Sequence, residues 1–321
     1  MSYVLAIDIG GTKIASALVD PVNGTMISYD INVTDRRGGE YVIKQLANII
    51  EEKRTLFKNN NIIGIGISIP GIVKDFNKIV WAPNIPLWSN IKLCDELKKN
   101  TSFQDNILLL DDRVATALGE IWQGEARGFR DVITLIIGTG VGAGIVLNGK
   151  PVIGSTGATG AIGWWLLSKT LPRRNTVKGF LEESISGPAI VKKTKKLCRE
   201  KIFKNDCEKL KKLCNDIIDT KCIFRAYDEG IGIAMSILKK VVMVTGITVA
   251  NIVSMINPEI VILSGSVGIE IGKKFLKYIE DTVKQIAQPY TTHIVLTYSK
   301  LGHKAPLYGV TYLIKENIKI Q

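Results

Sequence analysis

The stretch Val4-Leu-Ala-Ile-Asp-Ile-Gly-Gly-Thr-Lys-Ile-Ala-Ser-Ala-Leu-Val19 decides how the rest of the chain is read. It predicts an apolar strand broken only by Asp8, a turn at Gly10–Gly11, and a second strand from Ile14 to Val19. Glycines in the turn let backbone N–H groups approach phosphate oxygens with no Cβ in the way. A carboxylate at the end of the first strand can hold magnesium or its water. The same residues also suit a plain tight hairpin with Asp8 as a turn residue.

A second copy separates these readings. Residues 132–147 run Val-Ile-Thr-Leu-Ile-Ile-Gly-Thr-Gly-Val-Gly-Ala-Gly-Ile-Val-Leu, again apolar strand, Gly-Thr turn, apolar strand. Ile7-Asp-Ile-Gly-Gly-Thr aligns with Leu135-Ile-Ile-Gly-Thr-Gly. An internal repeat of this kind predicts two similar lobes, each offering a glycine hairpin to one phosphate chain. Gly138-x-Gly140-x-x-Ala143 nearly matches a dinucleotide fingerprint, but that fingerprint must open a helix. Here a strand follows and leads to the Asn148–Gly149 turn.

With 321 residues, 46% hydrophobic and 22% charged, the chain has a globular balance and length for two domains. The first strand starts near Tyr3 with no basic or cleavable segment before it, so no signal peptide is expected. The apolar segment 241–267 is interrupted by Asn251, Asn257, Pro258 and Glu259. That predicts a buried helix and a buried strand, not a membrane span. The five cysteines, Cys94, Cys198, Cys207, Cys214 and Cys222, include no Cys-x-x-Cys pair. Free thiols in a reducing cytoplasm, with no zinc site, are expected.

Much of the net charge of +12 lies in 192–212. Glu200, Asp206 and Glu208 are mixed into this lysine-dominated run, which lacks the aromatic interleaving that stacks bases. A solvated helical face is expected rather than a nucleic-acid surface, with steering of anionic nucleotide as a secondary role.

Along the chain, strands are predicted at 26–33, 62–69, 107–110, 259–264 and 293–298. Helices are predicted at 40–57, near 91–99, after Asp111–Asp112, through most of 188–255, at 270–287 and at 306–318. The segment Trp81-Ala-Pro-Asn-Ile-Pro-Leu-Trp-Ser-Asn90 reads as a loop whose aromatic faces and amides suit a sugar ring, or as a proline-stiffened loop with core tryptophans. Of Asp111 and Asp112, one suits a helix cap. The other, at a strand end, suits acid–base chemistry.

These motifs, in this order, resemble the ROK (repressor, open reading frame, kinase) family of sugar kinases and sugar-sensing repressors over nearly the whole chain. Asp8-Ile-Gly-Gly-Thr-Lys13 resembles its first phosphate motif, and Leu135-Ile-Ile-Gly-Thr-Gly-Val-Gly142 its second. Gly66-Ile-Ser-Ile-Pro-Gly71 and Ala82-Pro-Asn-Ile-Pro-Leu-Trp88 resemble the hinge-side and sugar-loop segments. Asp112 with Ala115-Thr-Ala-Leu-Gly-Glu120 is similar to the catalytic-aspartate helix. Asn257-Pro-Glu-Ile-Val-Ile-Leu-Ser-Gly265 resembles the adenosine-side strand.

The resemblance implies an α/β, actin/hexokinase/Hsp70-like ATPase fold with two duplicated lobes of mixed sheets around a nucleotide cleft. It implies an N-terminal lobe of 1–111 plus the last helix, about 304–321, and a C-terminal lobe of 112–303. The implied reaction is transfer of the ATP γ-phosphoryl to a sugar hydroxyl, which relies on positioning and charge stabilisation. Asp112 would be the base and Asp8 would act through Mg²⁺ and its water. Gly10, Gly11, Thr12, Lys13, Gly138, Thr139 and Gly140 would hold phosphates, and Gly265 would admit the adenine ribose. Asn84, Asp111, Glu182 and Trp164 would contact the sugar. A cytoplasmic homodimer with no nucleic-acid or membrane partner is also implied.

The chain departs from the family on the sugar side. The family's Asn-Asp-Ala-Asn is here Asp111-Asp112-Arg113-Val114, and its Glu-Ile-Gly-His is Ala161-Ile-Gly-Trp164. No cysteine lies in Thr170–Lys178, where the family's zinc loop falls, and no zinc site is expected. Losing groups built to bond particular hydroxyls shifts acceptor specificity away from ordinary glucose. The rival expectation is a non-catalytic sugar or nucleotide sensor of the same fold. A DNA-binding repressor is disfavoured because the first strand starts at Tyr3, with no helix-turn-helix ahead of it.

Overall fold

The protein is described from a computed structural model that covers residues 2–57, 61–167 and 179–318. The elements, in chain order, begin with β1 (Ser2–Ile9), β2 (Lys13–Val19), β3 (Met26–Val33), α1 (Gly39–Leu56) and β4 (Asn61–Ile69). Next come β5 (Ile72–Lys74), β6 (Lys78–Trp81), β7 (Ser89–Lys92), α2 (Leu93–Asn100), β8 (Asn106–Asp111) and α3 (Asp112–Gln123). Then follow β9 (Val132–Ile137), β10 (Val141–Leu147), β11 (Lys150–Pro151), α4 (Glu182–Ile185), α5 (Gly187–Leu197) and α6 (Lys204–Leu213). The chain closes with α7 (Thr220–Asp228), α8 (Gly232–Ile256), β12 (Ile260–Ser264), α9 (Gly265–Ile286), β13 (Val295–Tyr298) and α10 (Ala305–Asn317).

The duplication read from the two glycine hairpins is present in the sheets. The first has strand order β3-β2-β1-β4-β8 and the second β11-β10-β9-β12-β13, the same arrangement with successive strands substituted. In the first sheet β1 pairs antiparallel with β2 and parallel with β4, and β4 pairs parallel with β8. Central parallel strands are covered on both faces and therefore read as continuous apolar runs. Val4 to Ile7 of β1 and Val261 to Leu263 of β12 are accordingly fully buried.

By internal contacts the chain forms two compact units: residues 1–132, 144–160 and 303–321, and residues 133–143 with 161–302. The division falls after α3 because α3 packs along α10. Two glycines permit this close crossing. A Cβ on Gly119 would meet the carbonyl of Ala305, and one on Gly309 would meet the carbonyl of Ala115. Trp122 of α3 lies edge-on to Tyr308 at 6.0 Å and tilted against Tyr312 at 6.3 Å.

Two local features differ from the sequence expectation. The loop around Pro83 is bracketed by β6 and β7, which with β5 form a small antiparallel sheet. Its strands are three or four residues long and too short for a periodicity signal. Helix α9 starts at Gly265, several residues early, because Gly265 at φ 77° turns the chain directly out of β12. Helix α8 is long and apolar enough to cross a membrane, but 61% of its most apolar window is buried within the protein.

The cysteines require a correction. Cys198 pairs with Cys207 and Cys214 with Cys222, and only Cys94 is free, buried in the first unit. The short turns joining α5, α6 and α7 bring each pair of Cα atoms to 5.3 and 5.7 Å, within disulfide range. Linear spacing alone does not reveal that proximity.

Candidate functional site

In the first unit the candidate residues gather at the carboxyl ends of parallel strands. Asp8 is paired with Ser68 in the β1–β4 ladder, and Ile69 with Asp111 in the β4–β8 ladder. Asp8 and Asp111 therefore end strands separated only by β4, roughly 10 Å apart at the strand spacing of a sheet. Ligands bind at such strand ends in open α/β sheets.

The turn after β1 is held shut by Gly10 N–H donating to the Lys13 carbonyl at 2.8 Å. Thr34 braces it, donating its hydroxyl to Gly10 O at 2.7 Å and its N–H to Thr12 O at 3.1 Å. The Pro-rich loop lies against the turn, since a Cβ on Gly11 would sit 2.6 Å from the Asn84 carbonyl oxygen. Asn84 itself is exposed. Trp88 is buried and donates its indole N–H to Gly39 O at 3.0 Å, which is the core role, whereas Trp81 is exposed.

The two aspartates after β8 have different partners. Asp111 caps α3, its Oδ1 accepting from Arg113 N–H at 2.9 Å. Arg113 Nε adds bonds of 2.8 and 3.0 Å to both carboxylate oxygens, and Nη2 donates to Oδ2. Both oxygens of Asp111 are thus engaged by Arg113. Asp112 begins α3 and is half-buried. Burial pushes its carboxyl well above the ordinary range, with Asp111 and Asp8 adding repulsion and Arg113 opposing them. Burial also raises Asp8, to about 6, with the Ser68 hydroxyl and then Lys13 opposing. The Ser68 hydroxyl opposite Asp8 in the ladder is buried.

In the second unit an open cavity of about 850 Å³ is lined by Gly138, Thr139, Gly187, Pro188, Lys192 and Ser266, among others. The hairpin turn is closed by Gly138 N–H donating to Gly140 O at 2.9 Å. Gly138 O in turn accepts from Gly187 N–H at 2.8 Å, which seats the start of α5 against the hairpin. Helix α9 begins beside the same cavity, and its Ser264 cap makes no side-chain hydrogen bond. The N-terminus of α9, which no side chain caps, favours an anion there.

The basic run resolves differently from the sequence expectation. Lys192, Lys195, Lys196 and Arg199 are exposed, as read, but they also line this cavity. Their i, i+3, i+4, i+7 spacing along α5 and its end was the available signal. Asp219, Thr220 and Ser266 also line the cavity and carried no motif. Gly265 does not line it; a Cβ there would meet the backbone of Ile137, so its requirement for glycine lies in packing against β9.

Glu182 heads α4 and its Oε2 accepts from Val141 N–H at 3.2 Å, 3.0 Å from where a Gly140 Cβ would stand. It therefore braces the second hairpin. Trp164 ends a short 3-10 turn, 41% exposed, after Ala161. The stretch Thr170–Lys178 lies outside the described residues.

The ROK family model matches residues 4–317. A glucokinase of Thermotoga maritima is 30% identical over 98% of both chains. The xylose repressor of Caldicellulosiruptor bescii is 29% identical over 97% of this chain and 77% of its own. A solved ROK glucokinase from Streptomyces griseus, in complex with glucose and AMPPNP, is 25% identical with a TM-score of 0.82, covering 98% of this chain and 99% of its own. The fold is thus the actin/hexokinase-like ATPase fold that the family resemblance implied. On a match spanning nearly its whole length, the chain belongs to the ROK family.

Proposed function

We propose that the protein is an ATP-dependent sugar kinase whose acceptor differs from ordinary glucose. The observation that carries this reading is Asp112: a desolvated carboxyl at a strand-to-helix junction, beside an Asp111 that is itself occupied by Arg113. Asp112 accepts the proton of the attacking sugar hydroxyl. A raised carboxyl suits that role, because proton transfer is efficient when the base lies near the working pH.

The donor phosphates are held at the two glycine turns by the backbone N–H groups of Gly11, Thr12, Thr139 and Gly140, while the N–H groups of Gly10 and Gly138 hold the turns closed. The Thr12 and Thr139 hydroxyls add donors. Lys192, Lys195 and Lys196 draw the polyanion toward the second hairpin. Asp8 fits magnesium: its desolvated carboxyl and the buried Ser68 hydroxyl opposite it in the ladder are hard oxygen donors. Bound there, the ion would neutralise charge on the transferring phosphoryl group. Asn84 and Trp164 contact the acceptor, and Glu182 orients the turn that meets it.

The altered acceptor follows from Ala161 and Trp164, which stand where the family has hydroxyl-binding groups, and from Asp111, whose oxygens Arg113 occupies. A cytoplasmic homodimer completes the reading, by likeness to the family. Sugar-dependent ADP release across hexoses, pentoses, amino sugars and their acylated derivatives tests it. ATP binding without turnover on any sugar contradicts it.

A second reading is a sugar or nucleotide sensor, which the rewritten sugar motif and the likeness to a xylose repressor favour. Thermal shift with sugars, with and without ATP–Mg, separates them. A sensor is stabilised by its ligand and releases no ADP.

A further inference from the structure

Helix α6 is weakly anchored by ordinary means. Of its ten residues only Cys207 and Leu210 are buried, and four are lysines. One buried leucine offsets far less than the cost of ordering ten backbone residues. A helix this short is also marginal in isolation. Two further ties are polar: Asp206 Oδ2 accepts from Ile233 N–H at 2.9 Å, and the Leu213 carbonyl accepts from Arg225 Nη2.

Both ends of α6 are instead cross-linked. Cys207 bonds to Cys198 at the end of α5, and Cys214, at the end of α6, bonds to Cys222 in α7. The residues adjoining these links line the 850 Å³ cavity: Lys195, Lys196 and Arg199 on one side, and Ile218, Asp219 and Thr220 on the other. Asp219 also caps α7 by accepting from Cys222 N–H at 2.7 Å. Both flanks of the cavity wall are therefore covalently tied to α6.

We propose that Cys198–Cys207 and Cys214–Cys222 form a redox-sensitive clasp on the wall of this cavity. Reduction releases α6, loosens the cavity residues at its two ends, and weakens binding of a phosphate-bearing anion. The inference concerns the cavity wall and stands apart from the identity of the sugar.

The two bonds differ in access. Cys198 is half-buried, whereas Cys207, Cys214 and Cys222 are buried, so the outer bond is attacked first. A dithiol thiolate attacks the Cys198 sulfur, and the Cys207 sulfur leaves and takes up a proton. The second thiol of the reductant then displaces Cys198, which is protonated, and the reductant becomes a cyclic disulfide. Each bond thus gains two electrons and two protons. At the inner bond, the Arg225 guanidinium lies 3.9 Å from the Cys222 sulfur and favours its departure as thiolate.

Thiol titration in denaturant, hydrogen exchange and AMPPNP–Mg binding, each with and without dithiothreitol, test the clasp. Without reductant one thiol, Cys94, should titrate, and all five after reduction. Reduction should accelerate exchange across 199–220 while α8 and α9 stay protected, and should weaken AMPPNP by about tenfold, the scale of a loop-ordering cost. The Cys198→Ser/Cys207→Ser double variant should lie close to the reduced form and respond less to dithiothreitol. Five thiols without reductant, or unchanged exchange over 199–220 on reduction, would overturn the clasp. Faster exchange with unaltered AMPPNP affinity would overturn its control of the cavity. AMPPNP binding to neither form contradicts the ATP assignment instead, and exchange alone then decides the clasp.

Discussion

Arg113 binds Asp111 twice over, donating its backbone N–H at 2.9 Å and its Nε at 2.8 Å to the same carboxylate oxygen. The pair is nearly inaccessible, with side chains 14% and 7% exposed. Removing one partner of a buried pair strands the other charge. Arg113→Ala should therefore destabilise the protein by roughly 3 kcal/mol. Arg113→Lys should recover only part of that, because a point charge cannot form the fork. Urea titration reads both. Arg113 also opposes the rise of Asp112, so Arg113→Ala should move the acidic limb of the kcat/KM profile to higher pH.

Asp112→Asn separates catalysis from stability. Turnover should fall by about 100-fold or more, the scale of a general base, with nucleotide affinity nearly unchanged. Stability should move the other way. A carboxyl raised on folding contributes stability that is present below its unfolded pKa, near 4, and lost as pH rises through its folded value. Once pH rises through that folded value the ionised, desolvated Asp112 is a burden, so Asp112→Asn should melt higher than the native chain. That advantage should shrink as pH falls toward 4. Melting curves across the range check the sign.

The α3–α10 crossing predicts a mutation that acts on catalysis from a distance. Gly309→Ala places a Cβ against the Ala115 carbonyl, a backbone atom that cannot rotate away. Overpacking of this kind costs about 1–3 kcal/mol. Because α3 begins with Asp112, kcat should fall more than nucleotide affinity. Thermal melts with steady-state kinetics would show it.

The cavity lysines predict a salt signature. Lys192→Gln combined with Lys196→Gln should weaken nucleotide binding and flatten its dependence on ionic strength, since exposed charges are screened over about 10 Å at 0.1 M salt. Calorimetry at low and high salt measures both quantities. Unchanged affinity at low salt would return these lysines to a purely solvating role.

What the sequence disclosed, and what it did not, follows from range. Strands such as Val4–Ile9 and Ile260–Ser264, and the apolar face of α1, carry local periodicity, and both glycine hairpins carry their own turn chemistry. Two similar lobes were legible from those hairpins, whereas the strand order of their sheets was not. The capping role at Asp111–Asp112 was legible, though not which residue filled it, because the Arg113 fork depends on side-chain geometry. The disulfides were misread because pairing depends on how α5, α6 and α7 fold back on one another. The cavity role of Lys192, Lys195 and Lys196 was underweighted because exposure and cavity lining look alike in a lysine-rich helix.

The central claim is phosphoryl transfer from ATP to a sugar with Asp112 as base. Its most direct measurement is ADP release by the native chain and by Asp112→Asn over a broad sugar panel, with the sugar product followed by mass. Sugar-dependent ADP release matched by a phosphorylated sugar, and lost in Asp112→Asn, is the predicted result. ATP binding with no turnover on any sugar, or equal turnover by Asp112→Asn, would contradict it.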